Sequence, residues 1–501
     1  MKNVKKCQQV INLVICCLIF IFTLTACSTV DKHGLDPKNP ISIEIWHYYN
    51  GLQKAAFDEM VREFNETVGV QKGIIVEAFS QGNVDDLKRK VMESVNKKIG
   101  AEPIPDIFAA YADNAYQIDK LGFVADINNY MTPEEIDEYV DSYIQEGRFS
   151  DGDEIKIFPT AKATEIMMLN KTDWDKFAAA TGASLEELKT WERLAVTAEK
   201  YYEWTDSLTP IPNDGKAFFG RDAMANYILV GSKQLGKEIF TVKNGQVSLV
   251  FDDAIMRRLW DNFYIPYING YYKAVGKFRS DDAKTGEIIA LVCSTSGIPY
   301  FPESVVIDDS KEYDIEALVL PLPNFENTPP CAVQQGAGMV VVKSDKVKEY
   351  ASVEFLKWFT DKDRNIKFSL ESGYMPVKKE ANNIKVIEEY LANNKGTKVL
   401  DKLRSSLSIL VEQLETYELY TNKAFENGTD AREVLTKSLI DKSKADREKV
   451  VELLKEGRTR EEAVKQVATE DNFYQWLTEL KESLKGAINK GHIKGGAVVH
   501  D

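Results

Sequence analysis

The stretch ISIEIWHYYNGLQKAAFDEMVREFNETVGVQKGIIVEAFS, residues 41–80, decides the fold. Ile41, Ile43 and Ile45 alternate with Ser42 and Glu44, the period of a half-buried strand. The period then changes. Leu52, Ala55, Ala56, Met60, Val61 and Phe64 recur at three- and four-residue spacing, which predicts a helix. GIIVEAFS (73–80) returns to strand character. Next, NVDDLKRKVMESVNKKI (83–99) opens on Asn with two Asp in its first turn, good chemistry for a helix start. PDIFAAY (105–111) reads as a third strand, and NAYQIDKLG (114–122) as a helix ending at Gly122. This β-α-β-α-β order predicts a parallel sheet with right-handed crossovers and helices on both faces.

Downstream the pattern is mixed. RFSDGDEIKIFP (148–159) predicts a hairpin around Asp-Gly, followed by the strand TEIMMLN (164–170) and a helix from Asp173. Residues 190–305 are helical and aromatic, with a strand in EIIALVCSTSG (287–297). YDIEALVLPLPN (313–324) and GAGMVVVK (336–343) read as strands and VKEYASVEFLKWFTD (347–361) as a helix. The last hundred residues are charged and helical, with KGGAVVHD (494–501) as a frayed end. No Gly/Ser- or Pro-rich linker divides the chain, which favours two lobes joined by several crossings over domains in series.

Residues 1–26 are set apart as a signal peptide: Lys2, Lys5 and Lys6 precede the apolar run VINLVICCLIFIFTL. LTAC (24–27) places small residues directly before Cys27, as in a bacterial lipobox, with an incidental cysteine in a secretory signal as the alternative. STVDKHGLDPKNP (28–40) reads as a tether, which puts the protein on the extracellular face of the cytoplasmic membrane, lipid-anchored through Cys27. Roughly 475 residues are then exported, enough for two or three cores. Losing three lysines takes the net charge from −15 to −18, with acidic residues spread along the chain. That balance argues against nucleic acid and anionic lipid as partners. Cys293 and Cys331 read as buried free thiols or one disulfide, and His33, His47, His492 and His500 have no metal-ligand spacing. No metal and no cofactor are expected.

Enzyme motifs fare poorly. GSKQLGKE (231–238) places Glu238 where a P-loop needs its magnesium-binding hydroxyl, and CSTSG (293–297) lacks the spacing of a nucleophile elbow. A Ser-His-Asp triad would have to use His47. The 78 acidic residues always supply some carboxylate pair, so a secreted glycan-acting enzyme stays open as an alternative.

In open α/β sheets ligands bind beyond the carboxyl ends of the strands. Here those ends carry Trp46 to Asn50, Ser80 to Gly82, Tyr111 to Asn114 and Ser294 to Gly297. Rings, amides, hydroxyls and a carboxylate are the mixture a sugar needs: aromatic faces cover its C–H surface and planar polar groups take its hydroxyls. The four consecutive rings of Trp46, His47, Tyr48 and Tyr49 cannot all enter one core, because strand neighbours face opposite sides. One or two of Trp46, Tyr48 and Tyr49 are expected to line a site, with Tyr48 and Tyr49 favoured and His47 structural.

The stretches IWHYYN…FDEMVREFN, PDIFAAYADNAYQIDKLGFVADI, ATEIMMLNKTDWDK, TWERL, GEIIALVCSTSG, LPLPNF, GAGMVVVK, ASVEFLKWFTD and SGYMPVKK occur in this order across residues 41–380. In this the chain resembles the bacterial extracellular solute-binding proteins of ABC importers, family 1, which includes maltose-binding proteins. The resemblance implies an α/β, type II periplasmic-binding-protein-like fold of two lobes, each a mainly parallel sheet flanked by helices. Lobe 1 would comprise 41–160 plus 316–373. Lobe 2 would comprise 161–315 plus 374–501, with extra C-terminal helices. The hinge would lie near Thr160–Ala163, Leu318–Leu320 and Tyr374–Val377. The implied activity is capture of a small solute, a carbohydrate first, by a monomer that delivers it to permease subunits or, as a sensor, to a membrane receptor. The implied ligand-binding set adds Gln81, Asp113, Asn114, Glu165, Tyr227, Ser294, Ser296, Gln335 and Tyr374 to the three rings. Trp191, with Thr190 capping its helix, and Phe218 are weaker candidates.

Overall fold

A computed structural model describes residues 30–149, 152–243, 245–308, 310–394 and 398–490. The leader with Cys27, the tip of the expected hairpin at 150–151 and the tail 494–501 lie outside them. Among the described residues no helix is long and apolar enough to cross a membrane.

The opening stretch folds as its periods dictate. Strand β1 (Ile41–His47) leads into α1 (Gly51–Phe64), β2 (Ile74–Ser80), α2 (Val84–Val95), β3 (Ile107–Ala110) and α3 (Ala112–Lys120). β1 lies between β2 and β3 and is parallel to both, with Ile41 opposite Ile74 and Ile45 opposite Ile107. Asn83 and Asp86 close a reciprocal capping box that starts α2.

The second half of the molecule is built from β4 (Glu165–Asn170), α4 (Trp191–Asp206), β5 (Phe219–Arg221), α5 (Met224–Gln234), α6 (Asp253–Asn269), β6 (Ala290–Ser294) and β7 (Ala317–Leu320). Its sheet runs β7-β4-β6-β5; β5 and β6 are parallel, whereas β4 is antiparallel to both of its neighbours. Beyond it come β8 (Cys331–Val333) and β9 (Gly338–Val341), and β9 rejoins the first sheet antiparallel to β3. Then follow α7 (Lys346–Phe359), α8 (Lys362–Ser372), α9 (Lys398–Thr416), β10 (Glu418–Tyr420), α10 (Gly428–Lys455), α11 (Arg460–Val467) and α12 (Glu470–Ile488).

Two expectations change. Residues 152–157 contain no strand, so the expected hairpin is not formed there. Residues 316–333 do not belong to the first lobe: Leu318 pairs with Leu169, making β7 an edge strand of the second sheet. A short apolar run announces a strand but carries no label for which sheet it joins. The return crossing is accordingly not Leu318–Leu320 but the stretch from Gln335 to Met339. There, bridges join Ala163 to Gln335, Phe158 to Met339 and Lys162 to Met375, so three chain segments run side by side between the sheets. Gly336 makes this approach possible, with φ at +103° and space for a Cβ only 2.7 Å from the Ala161 carbonyl oxygen.

Each sheet has its own core. The first packs Ile43, Ile45, Trp46, Phe57 and Phe64 against Phe355 and Phe359 of α7. The second joins Trp191, Tyr227, Trp260 and Tyr264 to Leu435, Leu439, Trp476 and Leu480 of the C-terminal helices. Trp260 stacks on Tyr264 at 3.6 Å, and the Tyr264 hydroxyl donates to Asp446 at 2.7 Å. Burial alone would raise the Asp446 pKa, but bonds from Lys449, Asn472, Tyr264 and Lys442 hold it down to about 2. Cys293 and Cys331 are buried free thiols.

Trp46 is 1 % exposed, and its Nε1 donates to Glu44 at 2.6 Å. Trp46→Ala is therefore expected to destabilise the fold by about 3–5 kcal/mol in urea denaturation. A loss below about 1 kcal/mol would place the indole outside the core.

Candidate functional site

The carboxyl end of the first sheet faces the second lobe across the candidate cleft. Tyr48, just past β1, stacks on Tyr111, just past β3, with centroids 6.5 Å apart and planes 18° apart. Tyr374, from the third crossing segment, hydrogen-bonds the Tyr48 hydroxyl. Tyr111 is 37 % exposed, yet burial drives its hydroxyl pKa well above the ordinary value. The Tyr111 ring thus keeps an accessible edge while its hydroxyl end is held within the protein.

The facing wall comes from the second sheet. Beyond β6, Ser294 and Ser296 place their hydroxyl oxygens 3.0 Å apart, and the following short helical turn carries Tyr300, which is 50 % exposed. The Tyr300 hydroxyl reaches across to lobe 1, where a Cβ on Gly51 would lie 3.5 Å from it.

The floor is a buried polar network. Arg221 donates to both oxygens of Glu165 at 2.9 and 2.8 Å. Asn226 donates to Glu165 Oε1 at 2.8 Å and to Gln335 Oε1 at 3.3 Å, and Gln335 in turn donates to the Thr164 carbonyl at 3.4 Å. The Arg221 guanidinium lies over the Trp191 and Tyr227 rings, 5.7 and 5.4 Å from their centroids. Arg432 Nη2 donates to Asn226 Oδ1. Below these, Lys162 pairs with Glu146 at 2.8 Å, both nearly inaccessible.

The lobes also touch directly. Asp113, in the first turn of α3, lies against Gly428 at the start of α10, where any Cβ would collide with its Oδ1. Thr429 donates to Asn114 Oδ1 at 3.5 Å. Burial pushes the Asp113 carboxyl up to about 6, opposed by Arg432 and by the Phe425 N–H, and its Oδ1 has no hydrogen-bond partner.

The structure thus divides the expected site residues. Tyr48, Asp113, Asn114, Ser294, Ser296, Gln335 and Tyr374 converge on the cleft. Trp46 and Tyr49 do not: Tyr49 is 1 % exposed and packs on Phe57 and Phe368 at 5.2 and 5.6 Å. The strand ends at His47, so alternation no longer governs position 49, whose ring falls under α1 and α8. His47 is fully buried, its Nδ1 accepting from the Tyr49 N–H, and burial lowers its pKa to about 4. Tyr227 is core, its hydroxyl donating to the Leu259 carbonyl at 2.8 Å; Trp191 and Phe218 are core too. Glu165 is committed to Arg221 and Asn226, and Gln81, at the end of β2, accepts from Lys90 at 2.5 Å. Tyr111 stood in the strand-end stretch Tyr111–Asn114 without being singled out as a contact, and Tyr300, Asn226 and Arg432 were not read from the sequence at all. Tyr111 and Tyr300 follow strand ends and were findable by that rule. Asn226 and Arg432 arrive from helices by tertiary packing, which leaves no local signal.

Two α/β lobes, three crossing segments and a ring-lined cleft between them define a two-lobed solute-binding protein. Residues 59–395 match the family model of the bacterial extracellular solute-binding proteins, and the chain belongs to that family. Among solved structures it is similar to the cyclic α-maltosyl-1,6-maltose-binding protein of Arthrobacter globiformis, at a TM-score of 0.62 and 17% identity, covering 90% of this chain and 100% of that one. It is also similar to UgpB of Mycobacterium tuberculosis in complex with glycerophosphocholine, at a TM-score of 0.62 and 17% identity, covering 89% and 98%. The maltotriose-binding protein of Thermus thermophilus aligns at a TM-score of 0.58 and 14% identity, covering 89% and 100%. A search of curated protein sequences returns no match.

Asp113 gives a pH prediction. Its folded pKa of about 6 lies above the usual carboxylate value. The stability it contributes is therefore fully present below the unfolded pKa of about 4 and is lost as pH rises through the folded value. Asp113→Asn cannot ionise. Its melting temperature relative to wild type is expected to rise between about pH 4 and about pH 8, roughly two units either side of the folded value. A difference independent of pH would mean that Asp113 is solvated.

Proposed function

We propose that the chain is the exported, lipid-anchored binding subunit of an ABC importer, which takes a carbohydrate into its interlobe cleft and presents it to a membrane permease. The observation that carries this reading is the convergence of the Tyr48, Tyr111 and Tyr300 rings with amide, hydroxyl and guanidinium groups in one cleft closed by three crossings. Aromatic faces take the C–H surface of a sugar ring and planar polar groups take its hydroxyls. Structural neighbours named for maltotriose and cyclic maltosyl-maltose support the same class.

The mechanism is capture. The solute binds between the lobes, and because it contacts both walls it favours the closed form, the only way a ligand shifts such an equilibrium. Glu165 and Glu146 are held by Arg221 and Lys162, which suits them to shaping a site rather than to transferring protons. The Cys27 anchor would keep the protein beside its permease.

A thermal-shift screen against neutral and charged oligosaccharides tests this, since binding raises the melting temperature by mass action. Tyr111→Ala and Tyr300→Ala are each expected to weaken the binding found by about 1–3 kcal/mol, the scale of losing a buried anchor. Their melting temperatures without solute should stay near wild type. Undiminished binding in the folded double variant would move the site elsewhere.

A further inference from the structure

The carboxylates around the cleft are nearly all committed: Glu165 to Arg221, and Glu146 to Lys162 and to Gln334 at 2.6 Å. Asp113 faces the start of α10 and forms no ion pair within 4.0 Å among the described residues. Arg432 is the exception among the cations. Its side chain is half-buried on the first turns of α10, one N–H of its guanidinium goes to Asn226, and it makes no ion pair among the described residues. It follows Gly428 and Thr429, which touch Asp113 and Asn114 on the opposite lobe, and through Asn226 it reaches Gln335 of the crossing segment, so it stands at the cleft.

We propose that Arg432 is the specificity-determining residue of the cleft and that the solute is a sugar bearing a single anionic group, a carboxylate or a phosphate ester. A guanidinium partly withdrawn from water loses hydration that a neutral solute replaces incompletely, whereas an anionic oxygen pair takes its remaining donors in the bidentate geometry that arginine favours. The Tyr111 ring opposite supplies the apolar face for the sugar itself. Position 432 lies outside the residues 59–395 matched by the family model, so the C-terminal helix adds a determinant of its own. This inference rests on the carbohydrate reading of the cleft.

The test measures thermal shift and calorimetric titration with three probe sets: neutral oligosaccharides, uronic-acid oligosaccharides and sugar phosphates. Wild type is expected to respond to one of the two anionic sets, with affinity falling as salt rises. Arg432→Ala is expected to bind that set roughly 10- to 100-fold more weakly, on the scale of a lost charge-assisted bond. Arg432→Lys should recover part of the loss and keep the salt dependence, which a purely structural role would not do. Far-ultraviolet circular dichroism of each variant checks that α10 stays folded. A response confined to neutral sugars, or an unchanged affinity in folded Arg432→Ala, overturns this inference and leaves the carbohydrate reading standing. No response to any set overturns both.

Discussion

The structure depends on how three chain segments are held together where they pass between the sheets. The fixed point is the ion pair of Lys162 with Glu146, whose side chains are 1 % and 5 % exposed. Lys162 Nζ also donates to the Gly336 carbonyl at 3.0 Å, and Gln334 donates to Glu146. One ammonium thus ties the first crossing segment to the second and to the short helix Asp141–Glu146. Desolvating two charges offsets much of their attraction, so such a pair adds little net stability. Losing either partner, however, strands the other in a low-dielectric interior. The pair therefore acts on geometry: it penalises every arrangement of the crossing in which these atoms separate.

From that point the constraint passes into the cleft. Lys162 leads within three residues to Glu165, where β4 begins, and Glu165 is clamped by Arg221 from β5 and Asn226 from α5. Gln335, on the adjacent crossing segment, bonds to Asn226 and to the Thr164 carbonyl. Motion at the crossing therefore displaces the groups that line the floor. The crossing and the floor share the same hydrogen bonds.

The first sheet was legible because its sequence changes period at each boundary, from Ile41–Ile43–Ile45 to the helical Met60–Val61–Phe64 and back. The second sheet was legible strand by strand but not in its pairing, since ALVL (317–320) fits either sheet and joined the one that offered a free edge at β4. The site was readable only as far as one rule reaches. Residues just past strand ends were expected to face the cleft, and the structure places Tyr48, Tyr111, Asp113, Asn114, Ser294 and Ser296 between the lobes, while Gln81 is held by Lys90. The same rule erred at Tyr49, because the chain turns into α1 and buries the ring against Phe57. Arg432 lay beyond any such rule, being more than two hundred residues from its partner Asn226.

That distance explains why the C-terminal helices are bolted so firmly to the second core. A helix that contributes a cleft wall has to place Gly428, Thr429 and Arg432 reproducibly against the opposite lobe. α10 is pinned along its length by Leu435 and Leu439 in the core and farther on by Asp446, which accepts from Tyr264 and Asn472 while pairing with Lys442 and Lys449. Fully satisfied buried networks of this kind rigidify the elements they join. Gly428 then completes the fit at the other end, where no side chain could stand beside Asp113. The apolar and ionic anchors far from the cleft are what make a long-range wall residue dependable, and they tie the packing of residues 428–488 to the shape of the site.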